Sequence, residues 1–224
     1  MKDSVVRTLI LSDWNRHRFF ILLSIFGGIL AVALVQLGGE LLTVLGSTWF
    51  FVSLIVLGSM LPVSNVINER KKQTLTFLMS LPISAGQYTT AKIASTFGMF
   101  MVPWLSLVVL GISLIISRPD IPDGVIVVVL ILAGFTLVGF CVITGVATVT
   151  ESEPWTIATT IALNSSYGFA WYVLIRNREL RADFGNAAPV WSPTVLTILL
   201  SEVATIAVIL VLTFYAQSRK RDFV

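Results

Sequence analysis

Six apolar runs, each long enough to cross a bilayer, dictate what this chain can become. They cover residues 19–37, 44–67, 91–117, 125–150, 155–175 and 194–216. A hydrocarbon core about 30 Å thick takes about 20 helical residues to span. Inside lipid every backbone N–H and C=O must be satisfied within the protein, which leaves helices and closed barrels. Barrel strands alternate apolar and polar residues over about ten positions. These runs are continuous and twice that length, so they read as helices. The rest of the composition agrees. Of the 224 residues 56% are hydrophobic and 12% charged, against about 25% charged in an ordinary soluble domain, and the mean hydropathy is +0.91. Such a chain cannot cover a water-facing surface. The expected fold is an all-α integral membrane protein with six transmembrane helices, and residues 1–224 form a single domain. A lone cysteine, Cys141, excludes a disulfide framework and a multi-cysteine metal site.

Orientation follows from the basic residues. Of the 15 Lys and Arg, only Arg118, Arg176, Arg178 and Arg181 fall on one side of the six spans. The positive-inside rule puts the richer side in the cytoplasm. Both termini and residues 68–92 therefore face the cytoplasm, and the localisation expected is multi-pass in a bacterial cytoplasmic membrane. The first span is not expected to be a cleaved signal peptide, because 18 residues with acids as well as bases precede it.

Residues 1–18 carry Val6, Ile10 and Trp14 at i, i+4 and i+8, with Lys2, Asp3, Arg7, Asn15 and Arg16 on the other side. The pattern predicts an interfacial amphipathic helix, which either transmits motion to span 1 or anchors the chain to the membrane surface. His17, the only histidine, is expected among headgroups or in water. On the outer side, 176–193 forms the one long loop, its second half apolar enough to dip back into the interface. The cytoplasmic turn between spans 4 and 5 is short, Glu151-Ser152-Glu153-Pro154, with Pro154 suited to the first turn of span 5.

The longest charged interruption is Asn68-Glu69-Arg70-Lys71-Lys72-Gln73-Thr74-Leu75, followed by Phe77-Leu78-Met79-Ser80-Leu81-Pro82-Ile83-Ser84. Leu75, Leu78 and Met79 share a helical face at i, i+3, i+4, Glu69 to Lys72 form a charged head, and Pro82 ends the helix. A tethered amphipathic helix of this kind can seat in a groove of a soluble partner. It can equally lie on the bilayer with its basic head on anionic lipid.

The order Glu69-Arg70-Lys71, Thr74-Leu75, Leu78, Leu81-Pro82-Ile83-Ser84 and Lys92 resembles the signature of ABC-2 type permeases, the membrane subunits of one class of ATP-binding-cassette exporters. Gln73 stands where that family often has Gly. The six spans, cytoplasmic termini, N-terminal amphipathic helix and outer excursion between spans 5 and 6 resemble the family too. The resemblance implies that residues 68–90 form a coupling helix on a nucleotide-binding subunit, through Glu69, Arg70, Lys71, Thr74, Leu75, Leu78 and Pro82. It implies that Glu151 and Glu153 make a minor cytoplasmic contact, and that the permease pairs with a second copy or a related chain. Its partners would then be a dimer of ABC ATPase subunits, that second permease and membrane lipids, with no nucleic acid.

No G-x-x-x-x-G-K-[ST] phosphate loop occurs in the chain. The chain is thus not expected to be an enzyme, and ATP and Mg would be held by the partner. No catalytic, cofactor or metal residues are expected here, since one histidine cannot build an H-E-x-x-H site. Polar groups inside the spans are costly and invite a role. Glu202 in span 6 reads as a proton, cation or basic-substrate contact, or as a structural acid paired with Arg176 or Arg178 or reaching outer-leaflet water. Asn164, Ser165 and Tyr167 in span 5 read as pathway lining or as inter-helix hydrogen bonding. Gly134, Gly139 and Gly145 read as close-packing positions, and Pro62 and Pro103 as kinks. The expected function is export of an apolar or amphipathic substrate such as a drug, lipid or peptide. The rivals are an ion-coupled transporter using Glu202 and a non-transporting membrane assembly factor.

Overall fold

The computed structural model describes residues 2–67 and 85–219, and all regular structure among them is helical. In chain order the helices are α1 (Lys2–Leu37), α2 (Glu40–Pro62), α3 (Ala85–Ser117), α4 (Val125–Thr150), α5 (Glu153–Arg176), the short α6 (Arg178–Asp183) and α7 (Pro193–Ser218), with a π-helical segment, Val63–Ile67, continuing α2. Among the described residues five stretches are long and apolar enough to cross a membrane: Ile10–Leu37, Glu40–Ile67, Ala91–Ser117, Val125–Thr150 and Pro193–Ser218. The chain is a multi-pass, all-α membrane protein. α5 has 24 residues, enough length to span. Asn164, Ser165, Ser166 and Tyr167 stand in its middle and lower its apolarity.

One boundary differs from expectation. The amphipathic start, 1–18, and the first span are not separate elements: α1 runs unbroken from Lys2 to Leu37. Nothing in the sequence around Arg18 stops a helix, for no Gly or Pro occurs there, and Phe19 continues the pattern. At Pro62, by contrast, α2 does change character. Pro62 lacks an N–H and its ring crowds the carbonyl four residues back, and the chain opens into the π turn Val63–Ile67. Such turns absorb an inserted residue without ending the helix.

α4 is the hub. It packs on α2, α3, α5 and α7, and 67% of its most apolar stretch is buried, against 6% for α7. Around it Phe100 of α3 stacks on Phe140 of α4 with ring centroids 4.0 Å apart, and Leu57 and Leu61 of α2, Ile21 of α1 and Met99 close the cluster. Apolar residues facing outward, among them Phe19, Phe26, Leu41, Phe169, Leu200 and Val211, meet lipid rather than water. Small residues set the helix spacing, as lipid offers no hydrophobic drive for helices to associate and close packing must supply it. A Cβ on Gly46 would lie 2.6 Å from the backbone oxygen of Ala31 and 3.1 Å from the Val35 nitrogen. Gly46→Ala should therefore push α1 from α2 and lower stability by about 1–3 kcal/mol. Gly98→Ala, with nothing within 4 Å, should raise it by up to about 1 kcal/mol through helix propensity. Thermal unfolding of the two variants in detergent checks both signs.

Between α1 and α2, Gly38 and Gly39, with φ of 78° and 86°, turn the chain. The Arg118 guanidinium donates to the Val35 carbonyl at 2.7 Å, capping α1, and its hydrogen bond to the Asp120 carboxylate holds that acid below its ordinary pKa. The loop 176–193 is part helical. Asn177 caps α6 by accepting from the Glu179 and Leu180 amides. The Thr194 hydroxyl donates to Glu179 at 2.7 Å. The helix thus falls in the charged first half of the loop, and residues 188–192 carry no helix.

Candidate functional site

The functional residues expected in the coupling segment, Glu69, Arg70, Lys71, Thr74, Leu75, Leu78 and Pro82, lie outside the described residues. What is described is the mount on either side of them. Ile67 ends the π turn below α2, and α3 enters the bundle past Lys92. Three elements meet there through buried polar groups. Asp13 of α1 is 6% exposed and Lys92 of α3 is 8% exposed. The Lys92 ammonium donates to both Asp13 carboxylate oxygens, at 3.0 and 3.2 Å. The Ser95 hydroxyl has two acceptors in reach, Asp13 Oδ2 at 2.8 Å and the Lys92 carbonyl at 3.0 Å. Asn65, in the π turn and fully buried, donates through Nδ2 to the Thr96 hydroxyl at 2.7 Å. Its Oδ1 has no partner among the described residues. The Thr96 hydroxyl in turn donates to the Lys92 carbonyl at 2.8 Å.

α1, the end of α2 and the start of α3 are thereby tied at one level. The Asp13–Lys92 tie is charge-assisted and the Asn65–Thr96 tie is a neutral hydrogen bond; both sit out of water, where a polar contact is strong when complete and costly when broken. His17 belongs to this cluster and corrects the expectation of a solvated histidine. It is 3% exposed, and its Nδ1–H donates to the Asp13 carbonyl one turn earlier at 3.0 Å.

Asp13 is the residue that reading the sequence for function missed. Its helical position held the signal. Ile10, Asp13, His17 and Ile21 fall at i, i+3, i+7 and i+11, one face of α1. That face is buried at Asp13, His17 and Ile21. A lone acid on such a stripe requires a cation, and Lys92 supplies it.

Glu151 and Ser152 form the two-residue break between α4 and α5, and Glu153 opens α5. Glu151 is the only non-glycine among the described residues with positive φ, 56°. Its amide donates to the Ala147 carbonyl and closes α4. Glu153 sits in the first turn of α5 with Pro154 beside it, where a carboxylate complements the helix dipole.

The four residues expected to line a pathway do not converge. Asn164 Oδ1 accepts from the Ser59 hydroxyl of α2 at 3.3 Å. Ser165 is exposed and bonds back to the Ile161 carbonyl of its own helix. Tyr167 packs edge-on against Phe135 of α4. Its hydroxyl lies 2.7 Å from where a Cβ on Gly139 would stand. Glu202 of α7 is 8% exposed and rests its carboxylate over Gly134 of α4. Arg176 donates to Tyr172 rather than to Glu202, so the pairing expected with Arg176 or Arg178 is not found. Gly145 receives Thr213 in the same way, 2.8 Å from its would-be Cβ. The three α4 glycines are thus notches, each taking a polar side chain of α5 or α7, in keeping with the close-packing role expected of them. Among the described residues no group of three or more His, Cys, Asp or Glu gathers that could hold a metal.

No protein-family model matches this chain, and neither a curated protein nor a solved structure does.

Proposed function

We propose that this chain is the membrane permease subunit of an ATP-binding-cassette transporter of the ABC-2 type. One observation carries the reading: Glu69-Arg70-Lys71, Thr74-Leu75, Leu78 and Leu81-Pro82-Ile83-Ser84 follow one another in the sequence between two helices that are locked together by buried polar bonds. A partner pressing on that segment would move α1, the end of α2 and the start of α3 as one body through Asp13, Lys92, Ser95 and Asn65. A loosely tethered helix would lose that motion in its tethers. In this reading α5 is a sixth span, both termini are cytoplasmic, and the chain pairs with a second permease. ATP and Mg sit on a separate ATPase subunit, since the chain has no phosphate loop. The spans hold few charges, which suits an apolar or amphipathic substrate.

The ion-coupled alternative has one observation in its favour, the buried Glu202 with no ion pair among the described residues. Transport by membrane vesicles separates the two. ATP-driven movement of a lipophilic dye, insensitive to a protonophore and retained in Glu202→Gln, is the expected result. Gradient-driven movement without ATP, lost in Glu202→Gln, would replace the permease reading with the ion-coupled one.

A further inference from the structure

A buried polar atom without a hydrogen-bond partner is rare in a folded protein and has a cause. Three such side-chain atoms occur among the described residues. Gln217 Oε1 lies on α7, and the other two fall together beside the π turn. One is Oδ1 of the fully buried Asn65. Turning its amide round does not cure this. The Thr96 hydroxyl donates to the Lys92 carbonyl, so it must accept from Asn65. That fixes Nδ2 on Thr96 and Ser95 and leaves Oδ1 on the other side. The second is the hydroxyl of Thr144 of α4, 3% exposed. Inside a helix a threonine hydroxyl can bond back to a carbonyl of the preceding turn. The other five buried threonines among the described residues, Thr96, Thr136, Thr148, Thr156 and Thr213, all do so. Thr144 alone does not.

Register brings the two atoms to one level. Trp104 of α3 donates to the Ala133 carbonyl of α4, and Phe100 stacks on Phe140, so the two helices run antiparallel. One turn beyond that stack stand Thr96 and Thr144, and Asn65 is bonded to Thr96 at 2.7 Å. On the α2 side, a Cβ on Gly58 would lie 3.6 Å from the Phe140 Cβ, and Val66 and Ile67 cluster with Ala147. Asn65 and Thr144 therefore lie between two contacts of the same pair of elements. No hydrogen bond joins them.

We propose that a water molecule is bound between them, donating to Asn65 Oδ1 and accepting from the Thr144 hydroxyl. Water fits the pair because it gives a proton on one side and takes one on the other. A cation would face both oxygens and leave the Thr144 proton without an acceptor. It would also bring a charge to a place where the nearby carboxylate, Asp13, is already held by Lys92. Two polar partners are enough for a buried water, and a water-bridged bond holds nearly as well as a direct one. α4, the hub of the bundle, thereby joins the junction of α1, the end of α2 and the start of α3. The water site stands apart from the transport reading, because no ATPase enters its test.

The test is thermal unfolding of the full-length chain in mild detergent. Thr144→Val keeps the shape of the side chain and removes the hydroxyl. In a dry site that relieves an unsatisfied group, and Tm stays or rises. With the water bound it should lower Tm by about 2–4 °C, the size of one hydrogen bond in a chain of this length. Thr213→Val, whose hydroxyl bonds only within its own helix, should lower Tm by less, and this contrast carries the test if Asn65→Leu does not fold. On an Asn65→Leu background, where the water has lost its other holder, Thr144→Val should cost less than half as much. A Thr144→Val Tm at or above that of the parent would overturn the site. So would an equal loss on both backgrounds, or a loss in Thr213→Val as large as in Thr144→Val. A Tm raised by sodium chloride over choline chloride at equal ionic strength, in the parent but not in Thr144→Val, would overturn it in favour of a cation.

Discussion

Lys92→Met will destabilise this protein by about 3–5 kcal/mol, the cost of leaving a buried charge without its partner. The side chain it removes donates to both oxygens of Asp13, and neither residue is reached by more than a trace of solvent. Methionine fills nearly the same volume, so the loss is electrostatic rather than a cavity. Asp13 is left with the Ser95 hydroxyl alone, and that hydroxyl has one proton for two acceptors. The double variant Asp13→Asn with Lys92→Met should recover most of the loss, because a buried pair replaced on both sides is often close to neutral. The double-mutant cycle, read by unfolding in mixed micelles, isolates the coupling between the two residues. A Lys92→Met change within about 0.5 kcal/mol of the parent, as exposed positions give, would mean that the pair is solvated and the three helices are not tied there.

The membrane class was legible because lipid imposes one rule on every backbone polar group, and long apolar runs are its direct signature. The helix breaks were legible where local chemistry set them: Pro154 opening α5, and Pro62, read as a kink, where α2 opens into the π turn. The site was legible unevenly. Lys92 stood out as the base at the start of a span. Asp13 did not, because the amphipathic pattern of the first 18 residues suggested a helix lying on the surface. On a surface an acid has no need of a partner. In the continuous α1 the same residue faces α3 and must have one. His17 was misjudged for the same reason. Asn164, Ser165, Tyr167 and Glu202 drew attention as polar residues in apolar runs, but sequence spacing gives no distance between helices. Each polar group found its own neighbour, on α2, on its own helix, or in a glycine notch of α4, and such notches show only when two helices are placed together.

The second large effect concerns the coupling segment itself. Glu69→Arg with Leu78→Asp should abolish ATP-driven transport while the chain still inserts and melts within a few degrees of the parent. The first change reverses the charge at the acidic start of the segment. The second places a carboxylate in the apolar stripe of Leu75, Leu78 and Met79, where a docked helix would bury it at a cost of several kcal/mol. The junction of Asp13, Lys92, Ser95 and Asn65 is built from other residues, so the fold should survive. Lys92→Met and this double variant should therefore fail differently, one by losing stability and the other by losing its partner.

Capture of the tagged chain from its native host in mild detergent tests the account most directly, with the parent compared against the Glu69→Arg, Leu78→Asp variant. An ABC ATPase subunit should co-purify with the parent and be absent from the variant, although both chains are recovered in equal amount. Parent and variant yielding the same proteins, with no ATPase among them, would contradict it and leave residues 68–84 as a helix that serves only the membrane surface.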